Sequence, residues 1–203
     1  DSAVVLWQKA QTLAETRLKN CSSAKPEYSI YKKNLATSLN NIGYIYQNQG
    51  DIPKALEYYG RSLKIQEEIR DKRGIAQSLN NIGAIYQNQG DIPKALEYYA
   101  RSLKILEEIG DKHGIAYSLN NIGYVYKNQG DIPKALDYYG RSLKIREEIG
   151  DKNGIAISLN NTGTIYHNQG DIPKALEYYG RSLKIQEEIG DKRGIAASLS
   201  NIG

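Results

Sequence analysis

At 203 residues, 40% hydrophobic and 25% charged, the chain has the composition of an ordinary water-soluble domain or short array. Its net charge of +4 is mild, and within residues 71–110 the bases Lys72, Arg73, Lys94, Arg101 and Lys104 are matched by Asp71, Asp91, Glu97, Glu107 and Glu108, which argues against a nucleic-acid partner. No apolar run approaches the roughly 18 residues that span a bilayer, so no membrane partner is expected.

Cys21 is the only cysteine, so no intrachain disulfide can form and a reducing, cytoplasmic compartment is expected. The chain contains no Met and opens without a signal-peptide pattern, so Asp1 is expected to be a cut inside a longer protein.

Residues 1–34 come first. Ala3, Trp7, Ala10 and Leu13 fall on one helical face, and the join "NCSSAKPEYSIYKKN" leads to a further helix expected to start near Pro26. From residue 35 the chain is periodic. "NQGDIPKAL" begins at Asn48, Asn88, Asn128 and Asn168, a period of 40 residues that signals a stacked repeat architecture. The expected units are 35–70, 71–110, 111–150 and 151–190, followed by a truncated first helix at 191–203, all in one continuous solenoid.

Each unit reads as two helices. In the second unit, Ile75, Ala76, Leu79, Ile82, Ile85 and Tyr86 line one face of a helix over about residues 72–88, with Asp71 as its N-cap. Gly90 ends it, Asp91 caps the next, and Pro93 sits in the first turn, where a missing N–H costs nothing. The second helix carries Ala95, Leu96, Tyr99, Leu103 and Ile105 until Gly110, with Glu97–Arg101 and Lys104–Glu108 at ion-pair spacing. Gly60, Gly140 and Gly180 lie inside second helices, where close helix approach or recent copying would explain them.

The unit resembles a tetratricopeptide repeat. The family's pattern of small and large residues is met by Leu79, Gly83, Tyr86, Gly90, Ala95, Tyr99 and Ser102, and the match runs from Leu35 to Gly203. The extended join "EEIGDKRGIA" replaces the usual terminal proline, as in the longer-unit subclass of kinesin light chains, LGN-type adaptors and bacterial peptide-sensing regulators. The resemblance implies an all-α, right-handed superhelical solenoid of antiparallel helix pairs. It also makes residues 1–34 the second helix of a preceding unit plus a long join. Both ends are then expected to expose apolar faces, with end-to-end self-association of the fragment as a consequence.

In that family the first-helix face opposite the apolar stripe lines the concave groove. This would set Asn41, Asn81, Asn121 and Asn161 in a row, with Asn48, Asn88, Asn128 and Asn168 in a second row. A primary amide pairs with both the N–H and the C=O of a peptide unit, so such a column suits an extended backbone. The resemblance implies that these asparagines bind peptide; bonds between neighbouring helices are the alternative, favoured for Asn40, Asn80, Asn120 and Asn160. The units differ at Thr37/Gln77/Tyr117/Ile157, at Tyr44/Ala84/Tyr124/Thr164 and at Gln47/Gln87/Lys127/His167, all expected in or beside the groove. Of these, Tyr44, Tyr124, Gln77 and Tyr117 are candidate ligand contacts.

No pattern carries catalysis, a cofactor or a metal. His113 and His167 lack partners at ligand spacing, and "GDKRG" at 190–194 lacks the order of a phosphate loop. The tyrosines of the Tyr59 and Tyr46 series are expected in the core. The expectation is a non-catalytic module binding a peptide or protein segment, a sensory or scaffolding part of a larger signalling protein. A spacer or self-assembling rod is the alternative.

Overall fold

The computed structural model describes residues 2–203, so the expectation about Asp1 lies outside the described residues. Ten α-helices follow one another and, among the described residues, no strand intervenes. They are α1 (Ser2–Lys19), α2 (Pro26–Asn48), α3 (Ile52–Glu68), α4 (Lys72–Asn88) and α5 (Ile92–Ile109), then α6 (Lys112–Asn128), α7 (Ile132–Ile149), α8 (Lys152–Asn168), α9 (Ile172–Ile189) and α10 (Lys192–Ile202). The chain forms two compact units, residues 1–109 and 110–203. In each, every helix packs on the next, and the first helices also touch: α2 meets α4 in the first unit and α6 meets α8 in the second. Within each unit the first helices thus form one layer and the second helices another.

The boundaries follow from local chemistry. Asp51, Asp71, Asp131, Asp151 and Asp171 each accept a backbone N–H three residues on, the bond of an N-cap. Gly150 and Gly190 close α7 and α9 with φ of 69°. Arg70 holds the corresponding turn at φ 57°, where a Cβ costs about 1–2 kcal/mol.

Repeat packing depends on a few recurrent contacts. Tyr59 and Tyr99 fill the first unit and Tyr139 and Tyr179 the second, all nearly inaccessible. Each presses against a helix glycine; a Cβ on Gly83 would lie 2.8 Å from the Tyr99 ring. Serines act as spacers that also bond: Ser62 donates to the Ala36 carbonyl at 2.8 Å, and Ser102, Ser142 and Ser182 do likewise to Ala76, Ala116 and Ala156. The Tyr46 series lies at the margin of the core rather than inside it, with Tyr46, Tyr86 and Tyr126 packed against the buried clusters. Its rings are half-buried and stacked at 5.5 Å on Tyr58, Tyr98, Tyr138 and Tyr178, under the ammonium groups of Lys54, Lys94, Lys134 and Lys174.

Two other expectations change. Ideal Cβ atoms at Gly60, Gly140 and Gly180 meet nothing within 4 Å, so close approach does not explain these glycines. Glu97 does pair with Arg101 at 3.8 Å, but Glu108 reaches across to Lys72 at 3.0 Å rather than to Lys104. The equivalent ties Lys32–Glu68, Lys112–Glu148 and Lys152–Glu188 join the start of one helix to the end of the next.

Candidate functional site

In the first unit the Asn pair of each first helix has two environments, whereas Asn120 and Asn160 of the second unit are half-buried like their neighbours. Asn40 and Asn80 are 4% and 5% exposed, whereas Asn41, Asn81, Asn121 and Asn161 are half-buried on the adjacent face. One helical step of 100° separates neighbours, enough to put one amide between helices and the next at the edge of the first-helix face.

The two sets are bonded to each other. Asn81 Nδ2 donates to Asn40 Oδ1 at 2.9 Å in the first unit. In the second, Asn161 donates to Asn120 at 2.9 Å and Asn201 to Asn160 at 3.4 Å. The inner amides are therefore oriented by the scaffold. One N–H is committed, while the second N–H and the Oδ1 of Asn81 and Asn161 carry no bond among the described residues. Asn41 and Asn121 make no side-chain hydrogen bond among the described residues.

Around these amides the surface is open and neutral. Tyr44, Tyr117 and Tyr124 are 56%, 53% and 39% exposed, and Gln77 is exposed as well. Asn48, Asn88, Asn128 and Asn168 are exposed but occupy the last residue of their helices, about two turns beyond the first row. In the first unit a recess of about 110 Å³ brings together Asn41, Gln77, Thr37, Lys33, Asp71 and Arg73. A larger recess of about 310 Å³ lies between α1 and α2, lined by Trp7, Leu13 and Tyr31, away from the amide row.

Two variable positions have structural roles that inspection of the sequence missed. Gln47 and Gln87 accept the buried hydroxyls of Tyr59 and Tyr99 at 2.8 and 3.1 Å. Where Lys127 and His167 replace them, Tyr179 turns to Thr164 at 3.4 Å and the Tyr139 hydroxyl has no partner. Burial, and secondarily the neighbouring Tyr124, push the Tyr139 phenol far above its usual range. The second position is Gln66/Leu106/Arg146/Gln186, which also varies between units and is buried at 3–5% exposure. The signal was available: each of these side chains lies twelve residues before a recurrent serine, and Gln66 and Gln186 accept from Ser78 and Ser198.

Among the described residues, no cluster of three or more His, Cys, Asp or Glu could hold a metal ion, and no helix is long and apolar enough to cross a membrane.

A tetratricopeptide repeat model matches residues 34–108, 74–148 and 114–188, and so covers most of the chain. The chain belongs to the tetratricopeptide repeat family. Among solved structures, this tetratricopeptide array is similar to BtubC from P. vanneervenii, with TM-score 0.82 and 20% identity over 99% of this chain and 80% of that one. A Rap protein complexed with Competence and Sporulation Factor gives TM-score 0.76 at 21% identity, over 85% of this chain and 49% of that one. A signal-transduction ATPase of the STAND class with a tetratricopeptide repeat sensor, from Pyrococcus horikoshii, gives 0.73 at 20% identity, over 98% of this chain and 31% of that one. No curated protein matches. At these identities the likeness concerns the fold: an all-α tetratricopeptide solenoid.

Proposed function

We propose that this tetratricopeptide array is a non-catalytic interaction module that holds an extended peptide or protein segment against the inner faces of its first helices, within a larger cytoplasmic signalling or scaffolding protein. The observation that carries this reading is the fixed orientation of the inner amides. Asn81 and Asn161 each have one N–H anchored to a neighbouring repeat, so the remaining N–H and Oδ1 are held without further ordering cost. A side chain locked in this way can meet the N–H and C=O of a peptide while ignoring its side chains. The exposed tyrosines beside the row supply apolar contact area. The Rap structure complexed with Competence and Sporulation Factor supports the reading by analogy of fold.

The test uses the positions with no scaffold bond. Peptides selected from a random library on the intact protein are titrated by amide NMR against wild type, Asn41→Ala and Asn121→Ala. Weaker binding, with shifts confined to α2, α4, α6 and α8, is expected. Unchanged affinity in both variants rejects the groove.

A second reading, a spacer or self-assembling rod, is favoured by exposed apolar side chains at the two extremities. Leu6 and Leu13 on α1 are 65% and 59% exposed, and Leu199 on α10 is 53% exposed, whereas the equivalent Leu79 and Leu159 are covered. Mass that rises with concentration in light scattering, and that stays low in Leu6→Glu and Leu199→Glu, selects this reading.

A further inference from the structure

We propose that the recess between α1 and α2 is a binding site for a small amphipathic carboxylate, with an apolar body seated beside Trp7 and Tyr31 and its anionic group at Arg17. The site lies away from the amide row and is independent of the groove reading.

The recess follows from one substitution at a recurrent junction. Where a second helix meets the next first helix, a long buried side chain fills the interface. Gln66 does so in the first unit, accepting from Ser78 at 2.8 Å, and Gln186 does so in the second, accepting from Ser198 at 2.7 Å. The first helix α1 stands in the same relation to α2. Its Ala3, Trp7 and Ala10 repeat the spacing of Ala55, Tyr59 and Ser62, which sets Ala14 in the place of Gln66 and Ser38 in that of Ser78. Ala14 offers a methyl group and no acceptor, so Ser38 donates instead to the Asn34 carbonyl of its own helix at 2.9 Å. The space left open is large. At the Gln66 junction the recess is about 110 Å³ and its lining is polar, whereas at Ala14 it is about 310 Å³.

The lining specifies the ligand. Trp7 and Tyr31, both half-buried, supply aromatic walls, and Leu13, Ala10 and Ala14 complete an apolar surface of a size that suits a small molecule. Polar groups stand at the rim, where Arg17 and Asn34 are exposed. Among the described residues no carboxylate lines this recess, and Arg17 makes no ion pair or side-chain hydrogen bond. Arg17 and Tyr31 also border a neighbouring recess of about 220 Å³, where Lys25 is joined by a single carboxylate, Glu27. The apolar space therefore ends at an excess of positive charge. A guanidinium meets a carboxylate through two parallel N–H···O bonds, which fixes the orientation of the head while the aromatic walls cover the body. A wholly polar ligand would leave those walls uncovered, and a neutral apolar one would leave Arg17 unpaired.

Trp7 is the only tryptophan, so its fluorescence reports on this site alone. Hydrocinnamate and its neutral amide are titrated into the full chain, Ala14→Gln and Arg17→Gln. The expected result in wild type is a saturable change in Trp7 emission, half complete at or below about 1 mM, with the amide about five-fold weaker. Arg17→Gln alters an exposed side chain and should bind acid and amide alike. Ala14→Gln re-creates the Gln66–Ser78 arrangement, fills the recess and should bind neither; its circular dichroism checks that it is folded, and Arg17→Gln decides the matter if it is not. No saturable response in wild type, equal affinity for acid and amide, or unchanged binding in a folded variant overturns the site. Emission that shifts with protein concentration alone assigns the recess to a second copy of the chain and overturns it too. The groove reading stands or falls separately.

Discussion

The buried guanidinium of Arg146 donates to the carbonyl of Gly154 on the following helix, at the place where Gln66 and Gln186 accept from a serine hydroxyl. The exchange leaves two orphans, Arg146 Nε and Ser158 Oγ. Burial lowers the Arg146 pKa, opposed by the charge of Asp151, so this cation sits in its interface at a cost. Arg146→Gln restores the Ser158 bond and should raise stability by about 1–2 kcal/mol. Urea unfolding of both proteins checks it; a lower midpoint in the variant refutes the account.

Glycines in this chain divide by what surrounds them. Gly60, Gly140 and Gly180 face open space, and the second repeat already has Ala100 there, so each Gly→Ala change should stabilise by about 0.5–1 kcal/mol. Gly83→Ala instead drives a methyl into the Tyr99 ring and should cost about 1–3 kcal/mol. Thermal melts of the two classes should move in opposite directions.

The Asn40–Asn81 bond predicts a coupling between stability and repeat geometry. Asn40→Ala removes a buried acceptor and should destabilise by about 1 kcal/mol. A double-mutant cycle with Asn81→Ala isolates the pair, and a coupling energy near zero would show the amides to be independent.

Acid should weaken the array. Hydrogen bonds from Lys54, Lys94 and Lys134 hold the carboxyls of Asp51, Asp91 and Asp131 below their ordinary range, with the backbone N–H at each cap adding to the effect. A folded pKa below the unfolded one means that the unfolded chain takes up protons first. The contribution is therefore complete above the ordinary carboxylate pKa of about 4 and disappears as pH falls through the depressed values. The lysines are raised, so their share is lost only in alkali, as pH climbs through their folded values. Melting temperature should stay flat from neutral pH to about 5 and drop below about 4, less steeply in Asp91→Asn.

Period and cap residues made the helices readable from sequence: Gly90 and Pro93 recur in every copy, and Asp71 in each copy after the first, because each acts on its own backbone within a few residues. The amide ladder was only half legible. Asn80 and Asn81 are neighbours in sequence, yet Asn81 bonds back to Asn40 of the previous copy, and a pattern repeated every 40 residues cannot say whether an acceptor lies in the previous copy or in a ligand. Position 127 reads from sequence as a groove position, yet its equivalents Gln47 and Gln87 accept the hydroxyls of Tyr59 and Tyr99 on the other helix. Such pairings depend on packing angle, which no local spacing records.

The donors and acceptors that join adjacent copies recur in step with the period: Asn81 to Asn40, Ser78 to Gln66, Ser198 to Gln186. Gain or loss of one whole copy by unequal recombination would therefore regenerate a complete set of partners at the new junction. Array length can drift in a lineage without passing through an unfolded ancestor, except where a copy bearing Arg146 finds a different neighbour.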